Sequence, residues 1–173
     1  MKYLAFITSL TCALNTWASC NPDLPLTTPD SQFELRAGGT MVRDNKTGLI
    51  WQRCTAGFVW DMANNRCTIS LGASISTWSA ALSSARLNRL GGFSNWRLPN
   101  KKELASLIEY SCTQPAINSR IFPNTPSGYF WTSTPVNYAD SFNVWYVNFT
   151  AGDYGSLDGI THFANTRLVR DEE

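Results

Sequence analysis

His162 is the single histidine of this 173-residue chain, and no acid or nucleophile is spaced to work with it. A Ser-His-Asp or Cys-His device needs a group that orients the imidazole, and a metal site wants several imidazoles or carboxylates. His162 therefore reads as a surface or loop residue, and no catalytic residue is assigned. Cysteine chemistry is constrained in the same way. Cys12 falls in the N-terminal apolar run, which leaves Cys20, Cys54, Cys67 and Cys112, an even set. In an exported protein such a set implies two disulfides, for which three pairings exist. Cys54 with Cys67 would close a short aromatic loop, and Cys20 with Cys112 would tie an N-terminal arm to the end of a helix; this pairing is favoured. A four-cysteine zinc site would need shorter paired spacings and a reducing compartment.

The remaining chemistry is that of binding. Asp140, Asn143, Asn148, Asp153 and Asp158 place oxygen atoms around the late loops, where they could hold calcium or simply bond their own turns. The Glu-Pro-Asn or Gln-Pro-Asp triplet of calcium-dependent sugar sites is absent, so no cofactor is expected and calcium is the one to test. Arg97, Lys101 and Lys102 cluster beside a helix start, suited to sulfate or carboxylate, although Arg97 also fits a structural ion pair. Tyr129, Tyr138, Trp145, Tyr146 and Tyr154 could stack on sugar C–H faces. Trp145 and Tyr146, in a long strand, read as core, which leaves Tyr138 and Tyr154, in loops, as the better ligand-binding candidates.

The elements that must position these groups follow from periodicity and punctuation. Residues 1–18, with Lys2 before an apolar run and Thr16-Trp17-Ala18 at its end, read as a signal peptide cleaved before Ser19, with a lipoprotein anchored through Cys20 as the rival. No other stretch approaches the length of a membrane span. Removing Lys2 with the signal leaves equal numbers of basic and acidic side chains, which argues against nucleic acid as a partner. Residues 19–39, with Pro22, Pro25 and Pro29, read as an extended arm, and residues 40–173 as one domain.

Within that domain, 40–43 and 49–52 flank an Asp-Asn-Lys-Thr-Gly turn and predict a hairpin. Residues 54–75 read as a loop. Ser76 or Thr77 caps a helix to about Leu90, with Trp78, Ala81, Leu82 and Ala85 on one face. Gly91 and Gly92 stop it, Trp96 and Leu98 alternate with Arg97 as a short strand, and Asn100 with Glu103 caps a second helix over 101–110. Ile117, Ile121 and Phe122 plug the core from a loop over 115–126. Strands are expected at 129–132, 142–149 and 166–170, the second interior to its sheet because both faces carry apolar residues, with loops at 135–141 and 151–165.

Taken in order, Asp44 with Thr47-Gly48-Leu49-Ile50-Trp51-Gln52, Thr77-Trp78, Asn95-Trp96-Arg97-Leu98-Pro99-Asn100 with Glu103-Leu104, Phe122-Pro123-Asn124-Thr125, Trp131-Thr132-Ser133-Thr134 and Arg167-Leu168-Val169-Arg170 resemble the Lcl C-terminal domain family over about residues 40–171. The resemblance implies an α+β, C-type-lectin-like fold, with two helices on a small, mostly antiparallel sheet and long loops as the presenting surface. The best-understood member of that family is the trimeric head of a collagen-like bacterial adhesin that binds sulfated glycosaminoglycans; no Gly-x-y stalk precedes the domain in this chain. The expectation is thus a non-enzymatic, exported lectin-like module at a bacterial surface or in the periplasm, binding a glycan or a surface protein, with a homo-oligomer as one assembly. The rival classes are a structural subunit of a pilus or adhesin head and an unrecognised enzyme.

Overall fold

A computed structural model describes residues 18–70, 75–138 and 141–172, with the side chains of 137, 138 and 141 left undescribed. The signal peptide, Asp140 and the Tyr138 side chain therefore lie outside the described residues. The chain is α+β. Strand β1 is Ser19–Cys20, β2 Phe33–Arg36, β3 Met41–Asp44, β4 Leu49–Gln52, β5 Phe58–Asp61, β6 Arg66–Ile69 and β7 Ile75–Ser76. Helices α1, Trp78–Leu87, and α2, Lys101–Ala105, follow. The last strands are β8, Cys112–Thr113, β9, Tyr129–Tyr138, β10, Ser141–Asn148, β11, Asp153–Asp158, β12, Ala164–Asn165, and β13, Val169–Asp171. The larger sheet runs β11-β10-β9-β12-β7, antiparallel except between β9 and β12, and a second sheet runs β13-β4-β3-β2.

The expected hairpin is β3–β4. Its turn closes because the Asp44 carboxylate accepts from the Lys46 N–H at 2.9 Å and the Thr47 hydroxyl at 2.8 Å, while Gly48 takes φ +75°. Residues 33–36, assigned by sequence to the arm, form β2 and pair with β3. The stretch 54–75 is likewise not a plain loop: it holds the β5–β6 hairpin, whose Cys67, opposite Trp60, is bonded to Cys54 before the hairpin, and β7. Both favoured disulfides are present, but Cys112 sits in β8 opposite Cys20 rather than at the end of a helix. The Cys20 sulfur is bonded to that of Cys112.

Both helices are shorter than their periodicity implies. Helix α1 starts where Thr77 accepts from Ala80 N–H, and ends at Leu87 because Asn88 turns extended, its side chain capping Leu90 N–H at 2.9 Å. Gly91 and Gly92 do take positive φ, but they close a separate turn after the helix. Helix α2 has the expected capping box, Glu103 N–H to Asn100 Oδ1 at 3.0 Å and Asn100 N–H to Glu103 Oε2 at 2.7 Å. It stops at Ala105, not 110, because Ile108 and Glu109 pair with Ile117 and Ala116 instead of continuing the helix. Trp96 and Leu98 are buried as expected, joined to β13 by a single bridge from Arg97 to Val169.

Two buried charges anchor this frame. The Glu109 side chain accepts from both N–H and hydroxyl of Thr27, Thr28 and Ser111, at 2.7–3.2 Å. Burial opposes its ionisation, but hydrogen bonds from Thr28, Ser111 and Thr27 outweigh that and hold its pKa at about 2. The arm is thus bound by a carboxylate as well as by Cys20. Arg167, fully buried, donates Nη1 to the Gln52 and Arg53 carbonyls and Nη2 to Thr125 and Thr55 hydroxyls at 2.7 and 3.2 Å. Burial pushes its pKa down to about 9, so it is charged at neutral pH without an ion-pair partner among the described residues.

Two outcomes follow. Glu109 binds a proton more weakly folded than unfolded, so its stabilisation is complete above about pH 4.5 and is lost as pH falls through about 2. Glu109→Gln should cost about 3 kcal/mol at pH 7 and flatten the acid limb of the pH–stability curve measured by urea unfolding. Arg167→Lys keeps the charge but cannot reach two carbonyls and two hydroxyls with a fork, and should cost about 3 kcal/mol in the same assay.

Candidate functional site

The site is built from an irregularity in β9. Trp131 lies opposite Tyr146 and Pro135 opposite Val144, so β9 spends four steps where β10 spends two. The extra residues, Thr132 to Thr134, turn hydrogen-bonding groups away from the ladder, as bulges do. The Thr132 carbonyl accepts from Trp78 Nε1 at 2.8 Å, which fixes the start of α1. Ser133 N–H donates to the Pro99 carbonyl at 2.7 Å, and Thr134 Oγ1 accepts from Lys101 N–H at 2.9 Å, which fixes the start of α2. The Thr132 hydroxyl returns to β10 by donating to the Trp145 carbonyl at 2.7 Å.

This docking aims Lys101 over the β10–β11 ribbon. Its Nζ sits 3.3 Å from the centroid of Trp145 and 4.0 Å from that of Tyr154, and the two rings meet edge to face at 6.2 Å. Trp145 lies opposite Ser156 and Val147 opposite Tyr154, so the aromatic pair shares one face of the ribbon. Tyr154 keeps half its surface in solvent, and Trp145 and Lys101 are half-buried. At such a partly exposed site a cation over indole is held by about 0.5–1 kcal/mol. The arrangement offers a fixed positive charge beside an open aromatic face, which suits a ligand with an apolar ring face and an anionic substituent.

The sequence-derived candidates separate into three groups. Lys101 and Tyr154 come together; Lys102, next in the chain, is exposed, with no ion pair among the described residues. Arg97 is not free for a ligand. Its guanidinium holds Glu103 at 2.8 and 3.0 Å and Asp171 at 2.9 Å, and these bonds, led by that to Glu103, raise its pKa above the ordinary arginine value. The oxygen-bearing residues do not converge: Asn143 pairs with Asp158 at one end of the ribbon and Asn148 with Asp153 at the other. The Asp158 carboxylate accepts from Ile160 N–H at 2.7 Å, and Asn148 Oδ1 from Thr150 N–H at 2.9 Å, so both serve turns. His162 is exposed, 3.2 Å from the Thr161 hydroxyl.

Sequence reasoning missed Trp145, which alternation assigned to the core. It also placed loops over 135–141 and 151–165, where β9 continues to Tyr138 and β11 completes the ribbon. Tyr154 is therefore a strand residue, held more rigidly than a loop residue would be.

No curated protein and no solved structure matches this chain. Residues 40–170 match the Lcl C-terminal domain, a span that contains both helices, the β9 bulge, Arg167 and the ribbon. The chain belongs to the Lcl C-terminal domain family.

Proposed function

We propose that this chain is an exported, non-enzymatic, lectin-like binding module that presents the β10–β11 ribbon and the start of α2 to acidic glycans. Sulfated glycosaminoglycans are the class the family suggests. The observation that carries this reading is the Lys101 ammonium poised over Trp145 and Tyr154. A pyranose ring can lay its C–H face on the open side of Tyr154 while a sulfate or carboxylate meets Lys101 and Lys102. Export is supported by two disulfides, and no described helix is long and apolar enough to cross a membrane. The separated positions of Asp153 and Asp158 favour recognition without calcium.

A second reading, as a structural subunit of a bacterial surface assembly, draws on exposed Phe142, Ile160 and Phe163, apolar surface that suits a protein partner. A glycan array including heparin-like polymers separates the two. Saturable binding that weakens with salt, is unchanged by a calcium chelator and falls about tenfold in Lys101→Ala is the expected result. No binding, together with stable copurification in a surface complex, would replace the module reading with the subunit reading.

A further inference from the structure

The ribbon face turned away from Lys101 carries a second aromatic group. Across β9, β10 and β11, Tyr129, Asn148 and Asp153 stand in one row, and Trp131, Tyr146 and Gly155 in the next. Residues in register share a face, as do alternate residues along a strand, so Tyr129, Tyr146, Asn148 and Asp153 lie together opposite Trp145 and Tyr154. The Tyr129 and Tyr146 rings are 4.4 Å apart between centroids and tilted by 49°. Tyr129 is 42% exposed, Tyr146 half-buried and Asp153 exposed.

Gly155 sets the posture of Tyr146. A Cβ at Gly155 would lie 2.6 Å from the phenol oxygen and 2.9 Å from Cζ, so the ring rests across the neighbouring strand where any other residue would lift it. The two rings form an apolar shelf. Beside it, the Asn148 side-chain oxygen accepts from Thr150 N–H; Asn148 is half-buried and Asp153 is exposed. Burial, then Tyr129 and Asp153, hold the Tyr146 phenol above its usual pKa, so it is a hydroxyl at neutral pH. These two rows contain a carboxylate and no lysine or arginine.

We propose that this shelf is a second saccharide subsite, selective for an uncharged pyranose whose C–H face lies on Tyr129 and Tyr146 while its hydroxyls bond Asp153 and Asn148. The class of ligand rests on the glycan-binding reading of the ribbon, but the charge preference is opposite. A lone carboxylate accepts from sugar hydroxyls and repels sulfates, so one ribbon addresses neutral units on one face and acidic units on the other.

The test is an NMR titration of labelled protein with neutral hexasaccharides of glucose, mannose and N-acetylglucosamine, run beside a heparin-derived hexasaccharide. At least one neutral sugar should shift the amides of Tyr129, Asn148 and Gly155 saturably. Tyr129→Ala should weaken that binding about tenfold, and Lys101→Ala should leave it unchanged. Gly155→Ala, checked for folding by its thermal midpoint, should act like Tyr129→Ala. Absence of shifts with every neutral sugar at millimolar concentration, or equal shifts of this row by the heparin fragment, would overturn the proposal. Loss of heparin binding alone would instead count against the Lys101 face.

Discussion

Three residues of β9 leave the sheet ladder, and the two helices hang on what they expose. From this segment the Thr132 carbonyl accepts from Trp78, the Ser133 N–H donates to the Pro99 carbonyl and the Thr134 hydroxyl accepts from Lys101 N–H. Because the bulge turns these groups outward, both helix starts are fixed to one rigid point, and the first side chain of α2 is delivered to the ribbon. The short length of α2, Lys101–Ala105, makes this necessary: a helix of five residues has little propensity of its own and must be held by its cap and its docking. The capping box and the Arg97–Glu103–Asp171 pairs supply the rest of that hold.

The frame handles buried charge by a different route from the surface. Arg167 and Glu109 are each held by neutral partners, carbonyls and hydroxyls for the two Nη atoms of the cation, N–H and hydroxyl groups for the anion, while Arg167 Nε is buried without a partner. Such sites join segments distant in sequence: Gln52, Thr125 and Arg167 in one case, Thr27, Thr28 and Glu109 in the other. The core forms two clusters, one around Trp51, Phe122, Phe130 and Phe149, the other around Trp131, Trp96, Ala81 and Ala85. The ribbon carries aromatic rings on both faces, Trp145 and Tyr154 on one and Tyr146 on the other, while Val144 and Val147 of β10 belong to the core.

Local chemistry was legible in the sequence where it is set by neighbours in the chain. The β3–β4 turn, the Asn100–Glu103 cap, the Thr77 cap, the Cys54–Cys67 pair and the plugging roles of Ile117, Ile121 and Phe122 follow from residue type and short spacing, whereas Cys20–Cys112, 92 residues apart, was one of three open pairings. What was not legible depends on contacts far apart in sequence. The second helix ends early because Glu109 pairs with Ala116 and binds Thr27 and Thr28, which no helical periodicity records. Trp145 leaves the core because Lys101 arrives above it, and β11 forms from a polar, glycine-bearing stretch because β10 offers it a complete ladder. Arg97 was read both as a ligand contact and as an ion pair; the two bonds to Glu103, joined by one to the distant Asp171, decide for the ion pair.

The central claim is that the Lys101 face of the ribbon is a glycan-recognition surface of this domain. The most direct measurement is a backbone amide map of the labelled protein titrated with a heparin-derived oligosaccharide at low salt. The account predicts saturable shifts centred on Lys101, Lys102, Trp145, Tyr154 and Ser156. Shifts confined to the β5–β6 hairpin or the arm, or none at all with the protein folded, would contradict it.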